Sequence, residues 1–346
     1  MQAPAAAAPT FVAVSQSRTL VAYRITLWLA LLTYPLDPWL LFRSATIGAH
    51  SRALAICCVL LSFAWSIAGP VLAWLVLSEA DRVPLDRRDH PQLPKEAILA
   101  AAGWPFFVLS GAVLAWVHAT VYQPALWYAL CAAVAASRWL PRAESRPAPG
   151  PLFERIHRTS ALLLLAFGVA HVANHLAALQ SLQAHVSVQT ALRTVYRQPV
   201  VEALIVLAAL LQVGTGASLI SRVRLQRSTS LRNLQVLAGA FLGMFFLSHL
   251  TGVFISGRLL QQADTTFAWA TGGPQGLLAN SRSPQFMPYY LLAVLAFFLH
   301  AACAGRWSLA SALSAKAALK VCYGIMALGA VISLALLVPM AGFHLH

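Results

Sequence analysis

Charge is what this chain has least of. Only 10% of its 346 residues are Asp, Glu, Lys or Arg, against roughly a quarter in an ordinary soluble domain. With a 59% hydrophobic share and a mean hydropathy of +0.71, a soluble globule is excluded. Acid is scarcest of all, ten Asp and Glu against 24 Lys and Arg. The five cysteines, Cys57, Cys58, Cys131, Cys303 and Cys322, lie inside apolar stretches and form no CxxC pair. That argues against disulfides, iron-sulfur ligation and zinc, and leaves them as small core hydrophobes. The first 18 residues lack a basic segment ahead of their apolar residues, so the first span is expected to act as an uncleaved signal rather than a cleaved one.

What the chain does have is long apolar runs. Those near 55–77, 97–117, 160–179, 200–220, 235–256, 289–305 and 319–340 each reach the roughly 17–25 residues that cross a bilayer. Stretches near 24–41 and 124–140 are weaker, and the first is interrupted by Pro35, Asp37 and Pro38, which break or kink a helix. The expectation is an all-α polytopic membrane protein of about nine transmembrane helices. A net charge of +14 would point to nucleic acid in a soluble protein. Here 18 Lys and Arg fall on the side of the N-terminus and loops 79–96, 138–158, 221–233 and 306–320, and six on the other. This is the positive-inside pattern. It excludes nucleic acid as a partner, leaves lipid as the surroundings, and places the N-terminus in the cytoplasm and the C-terminus in the periplasm of a bacterial inner membrane.

A Pro-rich, charged break at 138–152 divides the chain into residues 1–150, about four spans, and residues 151–346. The first part holds eight of the ten tryptophans. Trp39, Trp74, Trp104, Trp127 and Trp139 sit near span ends, as interfacial anchors do. His50, His90 and His118 are expected in loops or at a span end, solvated, and nothing there names a function.

The second part is a repeat. Residues 155–171 read RIHRTSALLLLAFGVAH and residues 233–249 read NLQVLAGAFLGMFFLSH. Aligning His171 with His249 superposes Phe167 on Phe245 and His157 on Gln235. The apolar helices that follow align Gln212 with His300 across a one-residue gap. The pattern is two tandem hairpins plus one extra span, and paired hairpins make a four-helix bundle able to enclose a cofactor. An ionisable ring deep in hydrocarbon is expensive and marks function, and two imidazoles at matched depth suit the iron of a haem. His171 lies 13 residues beyond Arg158 and His249 lies 14 beyond Gln235, about 20 Å along a helix. Gln212 and His300 therefore belong to a second layer nearer the cytoplasm.

Two layers of facing positions in such a bundle resemble the cytochrome b membrane subunits of succinate dehydrogenases and fumarate reductases. The resemblance covers residues 151–346 only. It implies His171 and His249 as iron ligands of one haem b. His300 matches one ligand of a second haem, but Gln212, a poor iron donor, stands where its partner histidine belongs, so one haem is expected. His157, Arg158, Thr159 and Ser160 match a His-Arg-x-Ser segment associated with quinone and haem propionates, groups that a guanidinium and a hydroxyl can hold by charge-assisted hydrogen bonds. His175, one turn beyond His171, is an alternative ligand or a neighbour supporting one. Gly239 and Gly243 admit either a porphyrin edge or a close helix. The implied function is electron exchange between a quinone pool and peripheral flavoprotein and iron-sulfur subunits. No flavin or nicotinamide motif occurs, so no dehydrogenase site is expected in this chain. Two alternatives stand beside it: a haemless membrane scaffold or assembly protein derived from the same bundle, and a transporter. Transport is disfavoured because Glu202 is the one carboxylate inside a confident span.

Overall fold

The computed structural model describes residues 11–48, 51–83, 89–140, 150–220, 229–279 and 285–345. His50, His346, most of the break at 138–152 and the basic stretch 221–228 lie outside the described residues, as does the side chain of His90.

The helices are α1 (Phe11–Thr33), α2 (Leu36–Gly48), α3 (Arg52–Ala80), α4 (Asp89–Trp116), α5 (Gln123–Ala136), α6 (Pro151–Gln180) and α7 (Leu182–Tyr196). They are followed by α8 (Pro199–Ile220), α9 (Ser230–Leu250), a π-helical continuation of α9 (Thr251–Leu260), the short α10 (Phe267–Ala270), α11 (Phe286–Ala312) and α12 (Ala315–Met340). No strand occurs among the described residues. Side-chain oxygens cap several starts: Ser51, Ser181, Thr229 and Ser314 each accept from the backbone N–H three residues on, satisfying a donor the helix leaves open. Seven helices, α3, α4, α6, α8, α9 with its continuation, α11 and α12, are long and apolar enough to cross a membrane. Their outer faces carry exposed Leu60, Leu61, Leu162, Val169, Val331 and Leu334, the surface of a protein surrounded by lipid.

The two weaker stretches are helical but are not among these seven. α1 and α2 are separated by a break at Tyr34 and Pro35. On α1, Arg24 donates to Glu96 of α4 (2.7 and 2.8 Å). Past the break, Asp37 accepts from Ser62 and Ser66 of α3. α5 has only 14 residues, yet it returns along α4: Gln123 donates to the Phe107 carbonyl (2.6 Å), whereas Gln92 donates to Val134 O (2.8 Å) and Lys95 to Ser137 (3.0 Å). The chain thus comes back to the end where α4 began.

The tryptophans correct the sequence expectation in part. Trp39 and Trp139 are exposed, but Trp104 and Trp127 are 1% and 0% exposed. They pack on Tyr34, with Trp127 stacked at 5.1 Å and Trp104 edge-on at 5.3 Å. Trp127 Nε1 donates to Leu31 O (2.7 Å) and Trp104 Nε1 to Gln285 O (3.2 Å). A buried indole needs a partner for its N–H, and a break in α1 and a loop before α11 provide one each. Because Leu237 and Tyr289 belong to the same apolar cluster, the two parts of the chain share a core.

Buried carboxylates are more numerous than the sequence indicated. Asp37, Glu79 and Glu96 are buried alongside the half-buried Glu202. Each has a partner: the two serines, Arg82 (3.2 Å), Arg24 and Arg258 (2.8 Å) respectively.

In the second part α6 packs on α8, α8 on α9, α9 on α11, and α12 covers α11 and α6. Small residues allow the approach. A Cβ at Gly168 would meet the Phe297 ring at 2.8 Å, and one at Gly239 would meet His300 Cε1 at 2.8 Å. Gly239 thus serves helix packing, while Gly243 faces open space.

Candidate functional site

The end of the bundle where α6 and α9 begin is here termed proximal, the opposite end distal. The repeat is visible as two matching pairs of stacked rings in the distal half. Phe167 stacks on His171 (centroids 5.3 Å apart, planes at 20°), and Phe245 stacks on His249 (5.2 Å, 13°). The centres of the two imidazoles lie 6.2 Å apart with planes at 68°. An imidazole nitrogen stands about 2 Å from a first-row metal and its ring centre about 1 Å farther, so imidazoles on opposite sides of an iron have centres about 6 Å apart. His171 and His249 meet that spacing.

They line a cavity of about 660 Å³, within the roughly 300–1,000 Å³ of small-molecule sites. Phe167, Phe245, Phe246 and Phe297 make its walls. His175 also lines it, but its ring centre is 4.5 Å from that of His171, too near for the two to straddle a metal. Its Nε2 lies 3.2 Å from His171 Nε2, one donating and the other accepting, and a metal at that nitrogen of His171 would replace the contact. The residues present therefore fit a bis-imidazole haem, with His175 as a neighbour.

The remaining expected residues gather elsewhere. Gln212 Nε2 donates to the His157 carbonyl and to Ser160 Oγ (2.9 Å for the latter). His300 Nδ1 donates to the Gln235 carbonyl (2.9 Å). Since the repeat aligns Gln212 with His300 and His157 with Gln235, both hairpins use the same tie: the second helix bonds the carbonyl of the equivalent residue on the first. These bonds give Gln212 and His300 each a tie within its own hairpin. The His-Arg-x-Ser segment is dispersed. His157 Nδ1 lies 2.8 Å from Thr215 Oγ1, Ser160 Oγ also donates to Ile156 O (2.7 Å), and Arg158 is 73% exposed beside Glu154 (3.6 Å). None of His157, Arg158, Ser160 and His300 lines the cavity.

Two parts of the site carry signals the sequence expectation passed over. The first is α7, which bears His185, Gln189, Arg193 and, one residue past its end, Arg197 at four-residue spacing, hence on one face. His185 is buried, 5.4 Å from the His175 ring, and Asn174 Nδ2 donates to it (3.3 Å). Arg193 and Arg197 both hold Asp264 (2.9 and 3.1 Å). The second is the π-helical segment that begins two residues after His249 and brings Gly252, Ser256 and Arg258 to the cavity wall. Segments of this kind recur at functional sites. No residue pattern announces it.

α7 is also where acid should act. Burial, then the charge of Arg193, pushes the His185 imidazole down to about 4 from the usual 6.5. A histidine held neutral when folded stabilises the fold fully above 6.5, and that stability is lost as pH falls from 6.5 toward 4. The hydrogen bond from Arg193 holds the Asp264 carboxyl below its ordinary value, so its contribution is lost only at still lower pH. Relative to the intrinsic exchange rate at each pH, protection across residues 182–196 should fall between pH 7.5 and 5 more than across α9. Equal protection at both values would exclude the effect.

No family model, no curated protein and no solved structure matches this chain.

Proposed function

We propose that this chain is a haem b membrane electron carrier of the kind its second half resembles, exchanging electrons between a quinone pool and a peripheral flavin and iron-sulfur partner. The observation that carries the proposal is the pair of imidazoles, their centres 6.2 Å apart, on repeat-equivalent helices inside an apolar cavity of about 660 Å³. When bound, haem b supplies reversible one-electron transfer. The roles of the protein's own groups follow from their surroundings. His171 and His249 hold the iron, Phe167 and Phe245 fix the planes of those two rings, and the apolar wall keeps water from the site and so tunes its potential. A reduced-minus-oxidised spectrum of the full chain, purified from cells able to make haem, tests the reading. A b-type difference band is expected, and protein isolated with no haem would sink the proposal.

The same reading assigns the chain to a bacterial cytoplasmic membrane with its N-terminus inside, on the strength of the 18-to-6 split of basic residues. Reporter fusions after positions 150, 228 and 313 should read cytoplasmic, and fusions after 188, 270 and 346 external. An external reading at 228 would overturn this orientation.

A further inference from the structure

We propose that the distal end of this cavity is a carboxylate site in which Arg197 and Arg258 receive the propionate edge of the haem. The assignment rests on the haem reading above and fixes which way the macrocycle points.

Unpaired groups are concentrated there. Of the ten buried side-chain polar atoms without a hydrogen-bond partner among the described residues, six belong to Asn174, His175, His185, Arg193, Arg197 and Arg258. Buried polar atoms are almost always paired in a finished structure, so this cluster marks where a partner belongs. Three of the six are guanidinium Nε–H groups, which can only donate. Their natural partner is an oxygen acceptor, best an anionic one.

Charge supports the same conclusion. Arg193, Arg197 and Arg258 are matched locally by Asp264 and Glu202, three cations to two anions. Arg197 and Arg258 line the cavity, each with one edge of its guanidinium held by an acid and its Nε–H unpartnered. The middle of the cavity is walled by phenylalanines, so a ligand matching its length has an apolar body and an acidic edge. A porphyrin with two propionates has that form.

Reach decides between the two ends. Arg158, the proximal candidate from the sequence, lies about 20 Å from His171 along α6 and is turned outward toward Glu154. The propionates of a haem centred on His171 end far short of it. Arg258 is nine residues beyond His249, at most about 14 Å along the helix, and its long side chain leads back to the cavity it lines.

The test compares two porphyrins on one protein. Full-length chain produced without haem is titrated with haem and with haem dimethyl ester, which keeps the iron and the apolar edge but has no carboxylate. The unsubstituted chain should prefer the diacid at least tenfold. The double variant Arg197→Gln, Arg258→Gln, made with Glu202→Gln so that no acid is stranded, should bind both porphyrins alike, while Arg158→Gln keeps the preference. Equal affinity of the unsubstituted chain for diacid and ester overturns the carboxylate site and leaves the ligation reading standing. A preference abolished by Arg158→Gln instead overturns it by putting the acid edge at the proximal end. Binding of neither porphyrin overturns the haem reading and this inference together.

Discussion

If His171 and His249 hold the same iron, replacing either by alanine is expected to abolish the six-coordinate b-type spectrum, because each ring would occupy one side of it. Half of a bis-imidazole pair cannot hold a low-spin centre. His175→Ala provides the contrast. The contact of His175 with His171 (3.2 Å) is at the nitrogen the iron would take, so its removal leaves the ligand set and hence the spectral type. His344→Ala should change nothing, because that ring bonds the Ala178 carbonyl. Pyridine haemochrome content with low-temperature spectra on the four variants would decide the matter. Loss of the low-spin signal in His175→Ala, with retention in His171→Ala, would transfer the ligand role to His175.

The sequence carried this site because the repeat carried it. Phe167 and His171 recur as Phe245 and His249 at the same four-residue spacing, and four residues on a helix place both rings on one face. Matching local sequence on two parallel helices then gives the two near-identical stacks that the structure contains. Crossings were legible for the same reason, since each long apolar run needs no partner to be recognised. The break between α1 and α2 was announced by Pro35, Asp37 and Pro38. Its purpose was not: that Asp37 would meet Ser62 and Ser66 depends on how α3 packs, and no local pattern encodes packing. Trp104 and Trp127 misled for a related reason. An indole near a span end is as compatible with a lipid interface as with a buried N–H meeting the carbonyl of a helix break, and only the tertiary arrangement separates the two. The π-helical segment after His249 lies beyond pattern altogether, because its widened turn is imposed by what it packs against.

The second layer yields the other large expectation: one haem per chain, unchanged by putting histidine at Gln212. If Gln212 were a lost ligand opposite His300, Gln212→His would restore an imidazole pair and recruit a second haem. The structure gives Gln212 another task, since its amide ties α8 to the His157 carbonyl and to Ser160 as His300 ties α11 to the Gln235 carbonyl. A histidine at 212 should therefore do what the histidine at 300 already does, donate one ring N–H across its own hairpin, and leave haem content at one. Gln212→Leu should instead remove both hydrogen bonds that tie α8 to α6, a loss of about 1–3 kcal/mol. Its thermal unfolding midpoint in detergent should fall below that of both the unsubstituted chain and Gln212→His. Two haems per chain in Gln212→His, or a Gln212→Leu chain as stable as the unsubstituted one, would show that this layer is a vacated ligand site and not a tie between helices.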